Sequence, residues 1–206
     1  MERLFPMFVK LAGRQVLVVG AGAVGEAKIR GLLDTGARIR VVARQATAAV
    51  RKWAGAGAIV LEERAFVLGD LDGIFLVVAA TSSRELNESI FAEAQHRRVP
   101  CNVVDVPGLC DFFYPAVLRR GDLQIAISTA GHSPLLAQRI RRQLELQFGP
   151  EYAGWVEDLG KIRREVLGSD LPADRKRELL RSLTGQDRSN FAEYGRRRGE
   201  SERDKS

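Results

Sequence analysis

The sequence has 206 residues, 45% of them hydrophobic and 28% charged, the make-up of a folded chain with one main domain and room for a small appendage. A large multidomain enzyme is excluded, and so is a helical membrane span, because no stretch approaches 18 uninterrupted apolar residues. The net charge of +6 is carried mainly by residues 1–150, where 19 basic side chains stand against 14 acidic ones, a balance suited to an anionic ligand.

In chain order, the opening MERLFPMFVKLAGRQ is too polar for a secretory leader. Cys101 and Cys110 are too few for a disulfide scaffold or a cysteine zinc site, and the expected compartment is the cytoplasm. Apolar runs at 16–19, 39–42 and 74–78 lack polar alternation, as parallel strands buried on both faces do. The stretches 24–35, 47–56 and 83–97 between and after them read as crossover helices, and 102–105 reads as a further short strand. Beyond Pro107, the runs 112–118 and 123–129 predict an antiparallel hairpin turning through Arg119-Arg120-Gly121-Asp122. Ser133 as N-cap and Pro134 as first helical residue predict a helix over 135–148, stopped by Gly149-Pro150. Helices at 152–167 and 172–183 follow, and from Gln186 onward 11 charges in 21 residues predict a frayed or disordered tail.

The expected fold is therefore α/β. A Rossmann-type parallel sheet spans 1–111, a small α+β subdomain 112–149, a helical segment 150–185 and a charged tail 186–206. Leu123, Ile125, Ile127, Leu135, Leu136, Ile140 and Leu144 supply more apolar surface than one hairpin and one helix can hide, which asks for a partner subunit.

Gly20-Ala21-Gly22-Ala23-Val24-Gly25 follows a predicted strand and opens a predicted helix, the context of a dinucleotide fingerprint. The first glycine serves the tight turn, the second the approach of a pyrophosphate to backbone, and the third the packing of helix on strand. At the end of the second strand stand Arg44 and Gln45, where an NAD enzyme usually offers a carboxylate to the ribose. Arg44 is open to three readings: facing a 2′-phosphate, stacking on adenine, or being solvated. Thr81, just past the run at 74–78, falls at the mouth of the nucleotide crevice or caps the following helix, for which Ser82 is an equal candidate. A ligandless glycine turn and a non-enzymatic nucleotide-sensing module are the blander readings. A nucleic-acid role lacks any aromatic-interleaved basic stripe. With His96 and His132 the only histidines and no ligand spacing between them, no protein-held metal is expected.

Four segments in this order resemble precorrin-2 dehydrogenases, the family that includes bifunctional dehydrogenase/ferrochelatases and the N-terminal module of siroheme synthases. They are Gly20 to Gly25, Ala79-Ala80-Thr81 with Glu85-Leu86-Asn87, Cys101-Asn102-Val103-Val104-Asp105-Val106-Pro107, and Ile127-Ser128-Thr129-Ala130-Gly131-His132-Ser133-Pro134. The similarity covers about residues 4–165. It implies NAD-dependent oxidation of precorrin-2 to sirohydrochlorin in siroheme biosynthesis by a homodimer, with iron insertion into sirohydrochlorin left open as a second activity. It also implies a stand-alone form, since 206 residues leave no room for the methyltransferase domain of siroheme synthases. Asp105 is nominated as the base, against the bland reading of a turn residue before Pro107. Ser128, Thr129, His132 and Ser133 are nominated to line the tetrapyrrole site, against a strand end plus helix cap. His132 departs from the lysine associated with many relatives at this place.

Overall fold

Val16, Leu17, Val18 and Val19 are all buried, which a strand can achieve only when covered on both faces. They form the centre of β1 (Gln15–Ala21), flanked in the sheet by β2 (Arg38–Ala46) and β4 (Leu76–Ala79), with β3 (Val60–Glu63) and β5 (Cys101–Val103) at the edges. Every pairing is parallel, in the order β3-β2-β1-β4-β5. This computed structural model describes residues 3–185 and divides into two compact units, one of 3–114 with Ala130–His132, the other of Pro115–Thr129 with the residues from Ser133 onward. The expected tail at 186–206 lies outside the described residues.

The period-two alternation of strand side chains sorts the core of the first unit into two layers. Val16, Val18, Ile39 and Val41 pack with Ile29 and Leu32 of α1 (Ala23–Leu32) and Val50 of α2 (Ala48–Gly55). Leu17, Val19, Val42 and Val77 pack with Ile90 and Ala94 of α3 (Arg84–His96). The expected Rossmann-type sheet is thus present, with one strand more than the sequence suggested. Val60-Leu61-Glu62-Glu63 forms edge strand β3, whose Val60 is 60% exposed and whose two glutamates break the apolar run.

Glu62 belongs to an ion network that ties β3 into the fold. Asp70, 3% exposed, accepts hydrogen bonds from Arg64 at 2.6 and 2.8 Å, from Arg40 at 3.3 Å and from the Val67 amide at 2.9 Å. Arg64 beside it holds the Asp70 carboxyl below the usual carboxylate range. A carboxylate lowered on folding contributes stability that is present above its unfolded pKa and lost as pH falls through the folded value. Asp70→Asn is expected to cost about 3 kcal/mol at pH 7, the lower end for breaking a buried pair because both arginines keep some solvent. The deficit should shrink as pH falls from the unfolded carboxylate value of about 3.9 through the lower folded value, and urea midpoints at pH 7 and about pH 2 check both statements.

In the second unit the hairpin pairs β6 (Ala116–Arg120) with β7 (Leu123–Ile127). Its turn is tighter than expected. Arg119 and Arg120 belong to the strand, with Arg120 opposite Leu123, so only Gly121 and Asp122 form the loop. Gly121 has φ +55°, the left-handed value a two-residue hairpin of this kind asks of its first residue. α4 (Pro134–Gln147) begins as expected: the Ser133 hydroxyl accepts the Leu136 amide at 3.2 Å, and Pro134 is the first helical residue. α5 (Tyr152–Gly168) and α6 (Ala173–Gly185) follow. An edge-to-face series of Phe148, Tyr152 and Trp155 joins α4 to α5, and Arg120 Nε donates to the Phe148 carbonyl at 2.9 Å. Among the described residues no helix is long and apolar enough to cross a membrane.

Candidate active site

Parallel strands deliver all their C-terminal ends to one edge of the sheet. β1 and β4 are neighbours there although their connections leave in opposite directions, which opens a crevice between them. The glycine loop closes β1 at that point, and the fold itself requires two of its three glycines, Gly20 and Gly25.

Gly20 has φ +101°, and a Cβ on it would stand 2.3 Å from the Ala80 carbonyl oxygen and 3.1 Å from the Thr81 amide nitrogen. The loop therefore lies directly against the end of β4. A Cβ on Gly25 would stand 2.1 Å from the Gly20 carbonyl oxygen, so α1 sits against β1 at a distance only glycine allows. Gly22 differs from both: its φ of −73° suits any residue, and a Cβ there would meet no protein atom within 4 Å. Gly22 is also the N-cap of α1 and offers no side chain to the first-turn amides, whereas Thr47, Ser83 and Ser133 cap α2, α3 and α4. Ala23 and Val24, the first residues of α1, are exposed beside it. A helix N-terminus with amide donors, positive dipole end and open approach suits a pyrophosphate.

Arg44 and Gln45 lie within β2, which continues to Ala46 rather than ending at them, and both are exposed. No carboxylate is within ion-pair distance of Arg44 among the described residues. Thr81 is not a helix cap, and neither is Ser82. Ser83 takes that place, accepting the Leu86 amide at 3.2 Å. The Thr81 hydroxyl instead bonds Asn87 Oδ1 at 2.7 Å, and Asn87 Nδ2 returns a bond to the Thr81 carbonyl at 3.0 Å, so the crevice mouth is pinned to α3 by a buried amide.

The strand expected at 102–105 is displaced. β5 ends at Val103, and Asp105 lies beyond it in a turn closed by the Val106 amide on the Val103 carbonyl at 3.2 Å. Asp105 has φ +62°, the conformation a type II turn demands at its third residue. Aspartate tolerates this region better than most residues, though glycine is preferred. The carboxylate is exposed at the sheet edge next to β4. Asn102 is buried and holds the returning chain, donating from Nδ2 to the Phe112 carbonyl at 2.7 Å and to Cys110 Sγ at 3.4 Å.

Sequence reasoning missed Lys28. It lies in α1 three residues after Gly25, its ammonium 4.1 Å from the centroid of the Tyr114 ring. Burial lowers its pKa, and the charge of Asp105 acts in the opposite direction, so the two groups share one electrostatic neighbourhood, with Cys110 beside them. Desolvation pushes the Tyr114 hydroxyl up to about 12. The signal available was helical spacing: Lys28 stands one turn beyond the fingerprint, on a helix whose N-terminus faces the crevice.

The structure thus brings Gly20, Gly22, Gly25, Thr81 and Asp105 to one edge of the first unit. Of the remaining candidates, Ser128, Thr129 and Ser133 belong to the second unit. There the Thr129 hydroxyl accepts the Ser133 amide at 3.1 Å and Ser133 caps α4, so these two hydroxyls are engaged in building the helix start. His132 is exposed in the stretch Ala130–His132, which begins with two left-handed residues, Ala130 and Gly131. Among the described residues no group of three or more His, Cys, Asp or Glu side chains could hold a metal ion.

Residues 7–116 match the family described as "Putative NAD(P)-binding", and residues 120–147 match "Sirohaem biosynthesis protein central". The siroheme synthase of Ectopseudomonas mendocina (strain ymp) is 41% identical over 178 residues, covering 86% of this chain and 38% of that protein. The siroheme synthase of Methylococcus capsulatus is 37% identical over 172 residues, covering 84% of this chain and 36% of that protein. The chain therefore spans less than two fifths of the length of these curated relatives. Among solved structures, SirC, precorrin-2 dehydrogenase, superposes with a TM-score of 0.81 at 28% identity, covering 98% of this chain and 100% of that one.

Proposed function

Since the chain belongs to the precorrin-2 dehydrogenase family, with an NAD(P)-binding domain followed by a sirohaem-biosynthesis central segment, we propose that it oxidises precorrin-2 to sirohydrochlorin with NAD. The observation that carries this reading is the open Gly22 at the start of α1, on the same sheet edge as the Asp105 carboxylate. When bound, NAD supplies a hydride acceptor. The residues present fit it: the amides of Ala23, Val24 and Gly25 would hold its pyrophosphate, Gly20 and Thr81 shape the crevice floor, and Arg44 and Gln45 would be the side chains offered to its adenosine ribose.

Loss of one hydride and one proton converts precorrin-2 into sirohydrochlorin, so the protein must provide a place for the proton. Asp105 takes it on its carboxylate and releases it to water from its exposed position. Lys28, in the same electrostatic neighbourhood as Asp105, helps receive a substrate bearing eight carboxylates. We read Ser128, Thr129, His132 and Ser133 as the rim of the tetrapyrrole site, with Thr129 and Ser133 acting through the helix start they build. We also read 112–149 as the dimerisation segment. Its helix α4 leaves Leu135 81% and Leu146 90% exposed, apolar surface that a second copy would cover. The nicotinamide pool and the two free thiols suit the cytoplasm.

The test is anaerobic incubation of the protein with precorrin-2 and NAD, with the sirohydrochlorin absorption spectrum as the expected result. No conversion above a protein-free control would overturn the assignment. The same assay with NADP should give the lower kcat/KM; a strong preference for NADP would mean that Arg44 reads a 2′-phosphate. Ferrous iron added after conversion tests the second activity, iron insertion, through loss of the sirohydrochlorin spectrum.

A further inference from the structure

Asp105 is exposed and sits in a backbone conformation that costs roughly 1 kcal/mol or more for a residue other than glycine. Such a conformation persists only where its surroundings fix it, and the side chain of Asp105 is not buried in any packing that would do so. What fixes it is the chain that follows. After the turn, the 3-10 segment Pro107–Leu109 brings the backbone back so that Cys110 bridges antiparallel to Asn102. This places the Cys110 thiol inside the loop it has just closed. Its sulfur lies 3.1 Å from the Val103 carbonyl oxygen and 3.3 Å from that of Val106, the first and last residues of the Asp105 turn. Asn102 Nδ2 approaches the same sulfur at 3.4 Å from the other side and bonds the Phe112 carbonyl.

We propose that Cys110 is the positioning residue for Asp105, its S–H shared between the two carbonyls that bound the turn and its sulfur held by Asn102. The proposal rests on the reading of Asp105 as the base. Burial raises the Cys110 thiol above its ordinary value, which keeps it a donor at neutral pH. Cys101, by contrast, is fully buried in β5, has its thiol pushed up to about 12, and plays only a packing part. Thiol hydrogen bonds are weak, so the loss of one should cost little stability; a carboxylate displaced by a fraction of an ångström from a reacting proton costs far more in rate.

The experiment compares Cys110→Ala and Cys110→Ser with the parent in the precorrin-2 assay, with NAD titration and thermal melting alongside. Cys110→Ala should lower kcat about tenfold with the NAD affinity unchanged, because the fingerprint is untouched. Cys110→Ser keeps a donor and should stay within about threefold of the parent. In an Asp105→Asn background, Cys110→Ala should have almost no further effect, since there is no base left to place; a merely structural role would lower both backgrounds alike. Parent turnover in Cys110→Ala, or equal losses in Cys110→Ala and Cys110→Ser, would overturn the proposal. Should Cys110→Ala not fold, Cys110→Ser decides alone: a folded variant that has lost tenfold or more refutes the donor role. Full activity in Asp105→Asn itself would instead overturn the base assignment, so the two failures are distinguishable.

Discussion

Replacing Asp105 by Asn should lower dehydrogenase turnover by about 10²–10⁴, the range for losing a positioned general base, while NAD affinity stays at the parent value. The structure makes this substitution unusually clean. Asparagine, like aspartate, accepts the left-handed region in which Asp105 sits at φ +62°, so the turn and its Val106 to Val103 hydrogen bond should survive. The side chain is exposed, so no buried partner is orphaned by the change. What disappears is the basicity and the charge of the carboxylate. Asp105→Gly sharpens the comparison, because glycine relieves the backbone cost at this position and should therefore leave stability near that of the parent with turnover equally low. Precorrin-2 binding should hold or tighten slightly in both variants, as one negative charge facing eight carboxylates is gone. Retained turnover in Asp105→Asn, under conditions where chemistry limits the rate, would make Asp105 a turn residue only and send the proton to water.

How far the site could be read in advance depended on whether a residue's role is local. The packing of the glycine loop was legible because Gly25 meets the Gly20 carbonyl five residues away and Gly20 meets the end of the neighbouring strand β4, both closer than a Cβ allows. The start of α4 was legible for the same reason, Ser133 and Pro134 being adjacent. Edge strand β3 was not, because an edge needs only one partner and tolerates Glu62 and Glu63, so the apolar signal that reveals a central strand is missing. Asp105 was expected at the end of a strand and instead follows it in a turn. Val103 and Val104 both have strand propensity, but the thiol of Cys110, six residues after Val104, bonds the carbonyls on either side of the turn. Thr81 and Ser82 were equal candidates for a cap that Ser83 supplies, and what distinguishes Thr81 is its bond to Asn87, a partner six residues away. Lys28 was missed because a lysine on a helix is ordinarily solvated. Only the return of the chain to Tyr114, 86 residues later, covers it.

The same substitution at two positions of one loop should give opposite phenotypes. In Gly25→Ala the new Cβ would lie 2.1 Å from the Gly20 carbonyl oxygen and 2.9 Å from its carbon, both backbone atoms that no rotamer change can move. Helix α1 must then lift from β1, disturbing the packing of Ile29 and Leu32 against Val16 and Val18. A cost of about 3 kcal/mol, at the upper end for overpacking, corresponds to a melting temperature lower by roughly 6–12 °C. In Gly22→Ala the Cβ meets no protein atom, and the backbone conformation is one alanine adopts freely. The melting temperature should move little, since exchanging glycine for alanine at an N-cap costs only about 1 kcal/mol or less, offset in part by a stiffer unfolded chain. NAD affinity should nonetheless fall by about fivefold or more, because the methyl group occupies the approach of the pyrophosphate to the first-turn amides, a steric conflict of about 1–3 kcal/mol. Melting curves and NAD titrations on both variants separate the two roles. A Gly22→Ala protein that binds NAD as tightly as the parent would remove this loop from the cofactor site and leave Gly20 and Gly25 as packing residues of a turn without a ligand.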